Sequence, residues 1–580
     1  MSNYNKIPFS SIEGPLFSGW NQIQDELNQK YKNANSNRYI LVVECYQGVH
    51  HPELIQGFSP LNADLFIRSD DAFLSEERIL EMTYPDVTDD SIFGYMTRLD
   101  YLAFLDADKV RAIRQKIKDT DGLIVVYGHA AALIAEEYDC LIYADMARWE
   151  IQMRQRRQEV NNLGLHNSEE APGIQYKRCY FVDWRVCDRL KQQLFDRADY
   201  WLDTNLKDEP KMIEAKTLLN GLTDLAKRPF RLVPYFDPGP WGGQWMKEVC
   251  GLDQAKPNFA WSFDGVPEEN SLMLKVQGQL FEIPSINLVF YKSKELLGEP
   301  VESRFGKEFP IRFDFLDTMK GGNLSLQVHP TTQYIREMFG MNYTQDESYY
   351  YLDAAPDATV YLGVKTGCDK DALIADLNKA QDTGGDFDVE KYINRFPAKK
   401  HDHFLIPNGT IHCSGTNGMV LEISATPYIF TFKLYDWGRM GMDGKPRPIN
   451  IRHGEQVIQW NRDTEYCHEN LVHQVMPIAE GDGWREERTG LHKNEFIETR
   501  RHWFTKTVTH QTEDSVNMLN LVEGREVIIE SPVGAFEPFV VHYAETFIIP
   551  AAVGTYTIRP YGESEGQECA TIKAYIRQKA

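Results

Sequence analysis

The chain has 580 residues, a formal net charge of −23 at pH 7, 42% hydrophobic residues and 25% charged ones. That length exceeds what one hydrophobic core fills, so two or three domains are expected, each of ordinary globular composition. The negative balance excludes a broad nucleic-acid or anionic-membrane surface, and no apolar stretch approaches the ~20 residues that span a bilayer. Nine cysteines, without a CxxC pair, point to reduced thiols. With no basic and apolar leader after Met1, the expected location is the cytoplasm.

Residues 1–228 alternate strand and helix patterns. Arg38 to Cys45 is an apolar run suited to a buried parallel strand, as are Gly122 to Tyr127 and Cys140 to Tyr143. Helical patterns occupy 107–118, 148–161 and 186–204, which implies a doubly wound α/β domain. After Ala226-Lys-Arg-Pro-Phe, short β runs separated by Gly, Pro and Asn take over. A helical island at 369–394 interrupts them. Residues 454–495 read as an irregular connection to a last barrel. The expected domains are therefore 1–228, 229–455 with the insertion 369–394, and 456–580 with the connection and a C-terminal barrel.

The turn after Val43 is Glu44-Cys-Tyr-Gln-Gly-Val-His50-His51. A phosphate-gripping loop there needs glycine amides, a Lys, and a Ser or Thr. His50 and His51 stand where the Lys and Ser/Thr belong, and Glu44 takes the first Gly's place. The Asp121–His129 string resembles the second core strand of uridine-kinase-like proteins. Asp145 with Arg148, Arg154, Arg156 and Arg157 resembles their arginine-bearing lid helix. The resemblance implies a degenerate, non-catalytic P-loop kinase-like domain. The alternatives are a solvated arginine face paired with Glu150 and Glu159, and a regulatory nucleotide or sugar-phosphate site. A metal pair at His50 and His51 is disfavoured because no nearby carboxylate is obvious as its partner.

In the second half, Leu324-Ser-Leu-Gln-Val-His-Pro330 alternates with period 2, placing Ser325, Gln327 and His329 on one face. Glu347 and His412 follow. Two neutral ligands on one strand face, a carboxylate and a distant imidazole suit an open site for a divalent ion such as zinc. Taken singly, His329 or His412 is better read as a core histidine bonded to backbone carbonyls.

That segment, then Asp346–Asp353, Phe404–His412 and Leu434–Arg439, occurs in the order seen in type I mannose-6-phosphate isomerases, which the sequence resembles over about residues 229–580. Tyr235–Gly243 resembles their opening segment and Ile548–Tyr556 their last barrel. The resemblance implies all-β double cupin, or jelly-roll, barrels. It also implies one Zn2+ or other divalent ion per chain on Gln327, His329, Glu347 and His412, and a small sugar or sugar phosphate as partner. A homodimer is compatible with it. Glu422 is then the candidate base, with Arg439 and Lys433 as cations for an enediolate. Ser325 matches a phosphate contact. Four positions depart from the family: Asp314 and Gln345 stand where lysines are usual, Lys433 where Arg is usual, and Phe432 where an adjacent Tyr is usual. The stretch Ser424–Ile429 is one residue longer. The reading is a metal-dependent aldose–ketose isomerase; the alternative is a non-catalytic sugar sensor that keeps the metal site.

Overall fold

The computed structural model describes residues 2–425, 428–441, 444, 447, 449–492 and 495–578. The chain divides into two compact units, each assembled from more than one stretch of sequence. One comprises Phe9–Asp224 with Ser271–Tyr291; the other comprises Met1–Pro8, Leu225–Asn270 and Lys292–Ala580. No helix among the described residues is long and apolar enough to cross a membrane.

The first unit is built on five parallel strands: β1 (Arg38–Cys45), β2 (Leu65–Arg68), β3 (Gly122–Gly128), β4 (Cys140–Asp145) and β5 (Tyr200–Asp203). Their order across the sheet is β5-β4-β1-β3-β2, and Lys211–Glu214 and Leu16–Ser18 extend the β5 edge antiparallel. Seven of the eight residues of β1 are buried, as the continuous apolar run requires of a central strand covered on both faces. The hairpin Ser271–Pro284 and helix Ile286–Tyr291 join this unit. Asn287 donates to Asp145 Oδ2 (2.7 Å) and accepts from Lys191 Nζ, which also donates to Asp145 Oδ1 (2.7 Å). Each fully buried charge thus has a partner, without which burial would be costly.

Two expectations for this unit are corrected. The helical pattern at 186–204 ends at Leu194, and Tyr200–Asp203 is the edge strand of the parallel set. Arg148 and Arg154 do not form a solvated face. Arg148 is 1% exposed and ion-paired with Asp188 at 2.6 Å, and Arg154 is 3% exposed and donates to the carbonyls of Gly48 and Thr204.

The second unit holds two pairs of antiparallel sheets, consistent with a cupin-type β domain. The central pair contains β6 (Arg312–Asp317), β7 (Leu326–Val328), β8 (Glu347–Ala354), β9 (His412–Ser414), β10 (Gly418–Ser424) and β11 (Phe432–Tyr435). β8, β10 and β6 are neighbours in a six-stranded sheet, and β9, β7 and β11 are neighbours in a five-stranded one. Helices Lys370–Thr383 and Val389–Tyr392 make up the helical insertion, the first capped by the Asp369 side chain. The other pair has six and four strands around Leu519, Leu521, Val527, Phe547 and Tyr556. Its first two strands, Met476–Gly481 and Trp484–Gly490, lie inside the stretch expected to be irregular. Met476–Gly481 is exposed throughout and pairs with Trp484–Gly490, while Glu487 and the buried Arg501 of the next strand pair at 2.8 Å.

Candidate metal centre and sugar cavity

β7 places Gln327 directly opposite His412 on one side and Lys433 of β11 on the other. His329 follows β7, and Glu347 opens β8 in the other sheet. The loop to His412 is anchored by Asp346, whose Oδ1 accepts from the backbone and side-chain nitrogens of Asn408 at 2.8 and 2.7 Å. These elements bring together His329 Nε2 and Glu347 Oε2 (3.0 Å), and His412 Nε2 and Glu347 Oε1 (2.8 Å). The Gln327 amide nitrogen lies 3.2 Å from His412 Nε2. All four side chains are 7% exposed or less.

The tautomers follow from the surroundings. His329 Nδ1 lies 3.0 Å from the Phe430 carbonyl and His412 Nδ1 lies 2.9 Å from that of Thr410. A carbonyl only accepts, so each Nδ1 carries hydrogen. In the neutral rings, both Nε2 lone pairs then face the Glu347 oxygens. Neither His329 Nε2 nor Glu347 Oε1 has a well-formed hydrogen bond. Lone pairs and a carboxylate converging on one buried point are mutually repulsive unless a proton or a metal cation lies between them, and the donor set fits a divalent ion. The carbonyls that make a histidine a core residue here make it a ligand with a fixed tautomer.

Beside this group lies a cavity of about 320 Å3. Its wall includes Glu422, Asp314, Gln345, Ser325, Gln327 and Lys433, all anticipated from sequence. Asp314 and Glu422 are paired across β6 and β10. Gln345 Nε2 donates to Glu347 Oε2 (2.8 Å) and Glu422 Oε1 (3.3 Å), linking the candidate base to the candidate ligand. Burial, with Glu347 and Asp314 nearby, pushes the Glu422 carboxyl well above the usual range. Asp314 is pushed up to about 6 by burial, against the pull of Arg312. Lys433 is pushed down to about 8 by burial and by Arg447, with Asp436 opposing.

Arg439 is not on the cavity wall among the described residues. It donates to Asp436 Oδ1 at 2.7 Å, and Asp436 in turn accepts from Ser325 (2.9 Å) and Arg447 (2.6 Å). Arg447 lines the cavity, and Arg439 meets the same Asp436 carboxylate. Arg447 carried no sequence signal. Arg312 did, since it alternates with Asp314 on β6 and so shares its face; its Nη2 lies 3.0 Å from Asp314 Oδ2. Pro238, Gly239, Pro240 and Trp241 of the opening segment complete one wall. Thr426 and Pro427, in the lengthened stretch before β11, lie outside the described residues.

Residues 19–227 match a family described only as a domain of unknown function, DUF8485. The chain is 27% identical over 234 residues to the probable mannose-6-phosphate isomerase GmuF of Bacillus subtilis (strain 168), covering 40% of this chain and 68% of that protein. It is 24% identical over 236 residues to mannose-6-phosphate isomerase ManA of the same organism, covering 40% and 69%. Among solved structures, the mannose 6-phosphate isomerase from Bacillus subtilis matches with a TM-score of 0.48 at 20% identity, covering 60% of this chain and 99% of that one. Homology to mannose-6-phosphate isomerases thus extends over about 40% of the chain and supports a sugar isomerase.

Proposed function

We propose that the chain is a metal-dependent aldose–ketose isomerase acting on mannose 6-phosphate or a related sugar in the cytoplasm. The observation that carries this is the convergence of two imidazoles of fixed tautomer, Glu347 and Gln327 beside a cavity walled by Glu422, Lys433, Arg312 and Arg447. Gln327, His329, Glu347 and His412 would hold one ion such as zinc, which when bound supplies Lewis acidity toward substrate oxygens. Glu422, on the cavity wall, is placed to move the proton between the two carbons. Lys433 and Arg447 supply positive charge where an enediolate oxygen or a phosphate would rest. Ser325, held by Asp436 and Arg447, presents a hydroxyl on the same wall. Trp241 and Trp261 exclude water along the apolar side.

Metal-loaded protein incubated with phosphorylated and free aldoses in deuterated water should exchange the C2 proton of at least one of them. Absence of exchange with every sugar, in protein shown to hold its ion, would overturn the isomerase reading. That outcome would favour a sugar sensor. The sensor reading has its own support: Asp314 already pairs with Arg312 and Asp436 with Arg447, so two cavity cations are partly neutralised.

For the α/β unit we infer a degenerate kinase-like domain that does not transfer phosphate. The strand order β5-β4-β1-β3-β2 supports the shape. Glu44 supports the loss of function, because its carboxylate accepts from the backbone N–H groups of Ala130 and Ala132, each at 2.8 Å. Amides that could face a phosphate oxygen are thereby already engaged.

A further inference from the structure

The α/β unit brings together a second set of metal-ligating side chains, none of which the isomerase reading uses. His51 begins the helix His51–Phe58 that follows β1, Asp70 lies just past β2, and His129 follows β3. β1 pairs with β3 and β3 with β2, all parallel, so the three C-terminal strand ends lie side by side. Ligands of open α/β sheets bind at this edge. The parallel pairing brings Asp70 beside His51, although the two lie on different strand ends.

One ligand atom from each of His51, Asp70 and His129 lies within 4.8 Å of the other two. Asp70 Oδ1 is 2.7 Å from His129 Nδ1, and Asp70 Oδ2 is 4.0 Å from His51 Nδ1. A tetrahedral ion with bonds of about 2.0–2.1 Å separates its ligand atoms by about 3.4 Å, a spacing those two distances bracket. A histidine–aspartate hydrogen bond alone leaves the group incomplete. His51 Nδ1, the nitrogen nearest Asp70 Oδ2, is buried without a hydrogen-bond partner, and His129, whose Nδ1 faces Asp70 Oδ1, is only 9% exposed. An unsatisfied imidazole nitrogen beside a carboxylate calls for a cation.

The group borders a cavity of about 590 Å3 that Arg68, Lys109 and His166 also line. Two imidazoles and one carboxylate suit zinc or a neighbouring first-row ion and leave coordination positions open, whereas magnesium and calcium favour all-oxygen ligands. We propose that His51, Asp70 and His129 hold a divalent transition-metal ion whose open positions face this cavity. Arg68 Nε, 3.9 Å from Asp70 Oδ2, places positive charge there and favours water or a small anion as the remaining ligand.

Zinc content of the full-length chain, loaded with excess zinc and freed of it by gel filtration, tests the site. Unaltered protein should hold two ions per chain. The variant His51→Gln, His129→Gln and the variant His329→Ala, His412→Ala should each hold one, and the fourfold variant none. A fourfold variant retaining as much zinc as His329→Ala, His412→Ala overturns the second site, whatever the fate of the first. Should the glutamine variants fail to fold, cobalt(II) titration of His329→Ala, His412→Ala, whose α/β unit is unaltered, still decides. Visible ligand-field bands saturating at one equivalent are expected, and their absence overturns the proposal.

Discussion

The two histidine–carboxylate–histidine groups are held by different kinds of backbone. In the β unit, His412 begins a strand of one sheet, Glu347 begins a strand of the other, and His329 leaves β7 with its ring tied to the Phe430 carbonyl. In the α/β unit the three residues follow the ends of three parallel strands, and Asp70 is the partner of one ring only. The first group is fixed on every ligand, with both imidazoles bonded to backbone carbonyls. The second is half-buried and borders a larger cavity. Antiparallel sheets thus make a rigid, enclosed pocket, while strand ends make an open edge.

A third histidine–carboxylate contact marks the boundary of this argument. In the C-terminal sheets, His502 Nε2 lies 3.3 Å from Glu486 Oε1. Arg500 also pairs with Glu486 at 3.2 Å, so this carboxylate has a guanidinium partner besides the imidazole.

The comparison breaks most sharply at His412. His412→Ala should empty the first site and slow C2 exchange by at least roughly 10^3-fold, since Lewis-acid stabilisation amounts to several kcal/mol. Zinc content and exchange rate should fall together. Exchange at the original rate in zinc-free protein would remove the metal from the mechanism.

Asp314 sharpens the contrast between a pocket built for a sugar phosphate and one that has lost its grip. The carboxylate sits on the cavity wall, 3.0 Å from Arg312. Asp314→Asn should release that guanidinium toward substrate and remove a repulsion with a dianionic phosphate. At an effective dielectric near 20, unit charges about 4 Å apart interact by about 4 kcal/mol, and even a third of that is tenfold in binding. The Michaelis constant for mannose 6-phosphate should therefore fall about tenfold, and that for an unphosphorylated sugar should not. An equal change for both sugars would show that Asp314 acts through structure.

Glu486 tests the balanced contact. Burial opposes its ionisation, but the hydrogen bond to His502, with Lys573 and Arg500, pulls its carboxyl down to about 2. Burial also holds His502 below its ordinary value, so the fixed cations carry the pull at neutral pH. A depressed carboxyl stabilises the fold above the unfolded value and loses that contribution as pH falls toward 2. Glu486→Gln should cost about 1 kcal/mol or less at pH 7, given its partial exposure, and the difference should vanish in acid. Urea midpoints at pH 7, where the difference is full, and near pH 2, where it is nearly gone, measure it.

How much of this was legible in the sequence differs between the two units for a physical reason. Period-2 alternation from Leu324 to His329 fixed the face of three site residues before any pairing was known. The contiguous strings around Glu347 and His412 placed the rest. Arg447 was invisible because only a tertiary contact with Asp436 brings it to the cavity. The His51, Asp70, His129 group was equally invisible: its members lie far apart in sequence, and only the lateral order of β1, β3 and β2 unites them. The same limit misplaced Arg148 and Arg154, whose buried partners come from other elements. The Ser271–Tyr291 segment also escaped notice, since a β hairpin carries no mark of the unit it will join.

The smallest expected effect is none. If the α/β unit has exchanged phosphate binding for metal binding, ATP with magnesium should leave its thermal unfolding unchanged. Three features argue for this. Glu44 accepts from the Ala130 and Ala132 amides. His50 and His51 stand where a phosphate-binding Lys and a magnesium-binding hydroxyl would be needed. Arg154, which could have reached a phosphate, is 3% exposed and spends its guanidinium on the carbonyls of Gly48 and Thr204 and on Glu150. A ligand present at 100 times its dissociation constant would add about 2.7 kcal/mol, enough to raise the midpoint by several degrees in a domain of this size. Such a rise at millimolar ATP would mean that the loop after β1 still grips phosphate. It would also reunite the two units as parts of one sugar-phosphate enzyme.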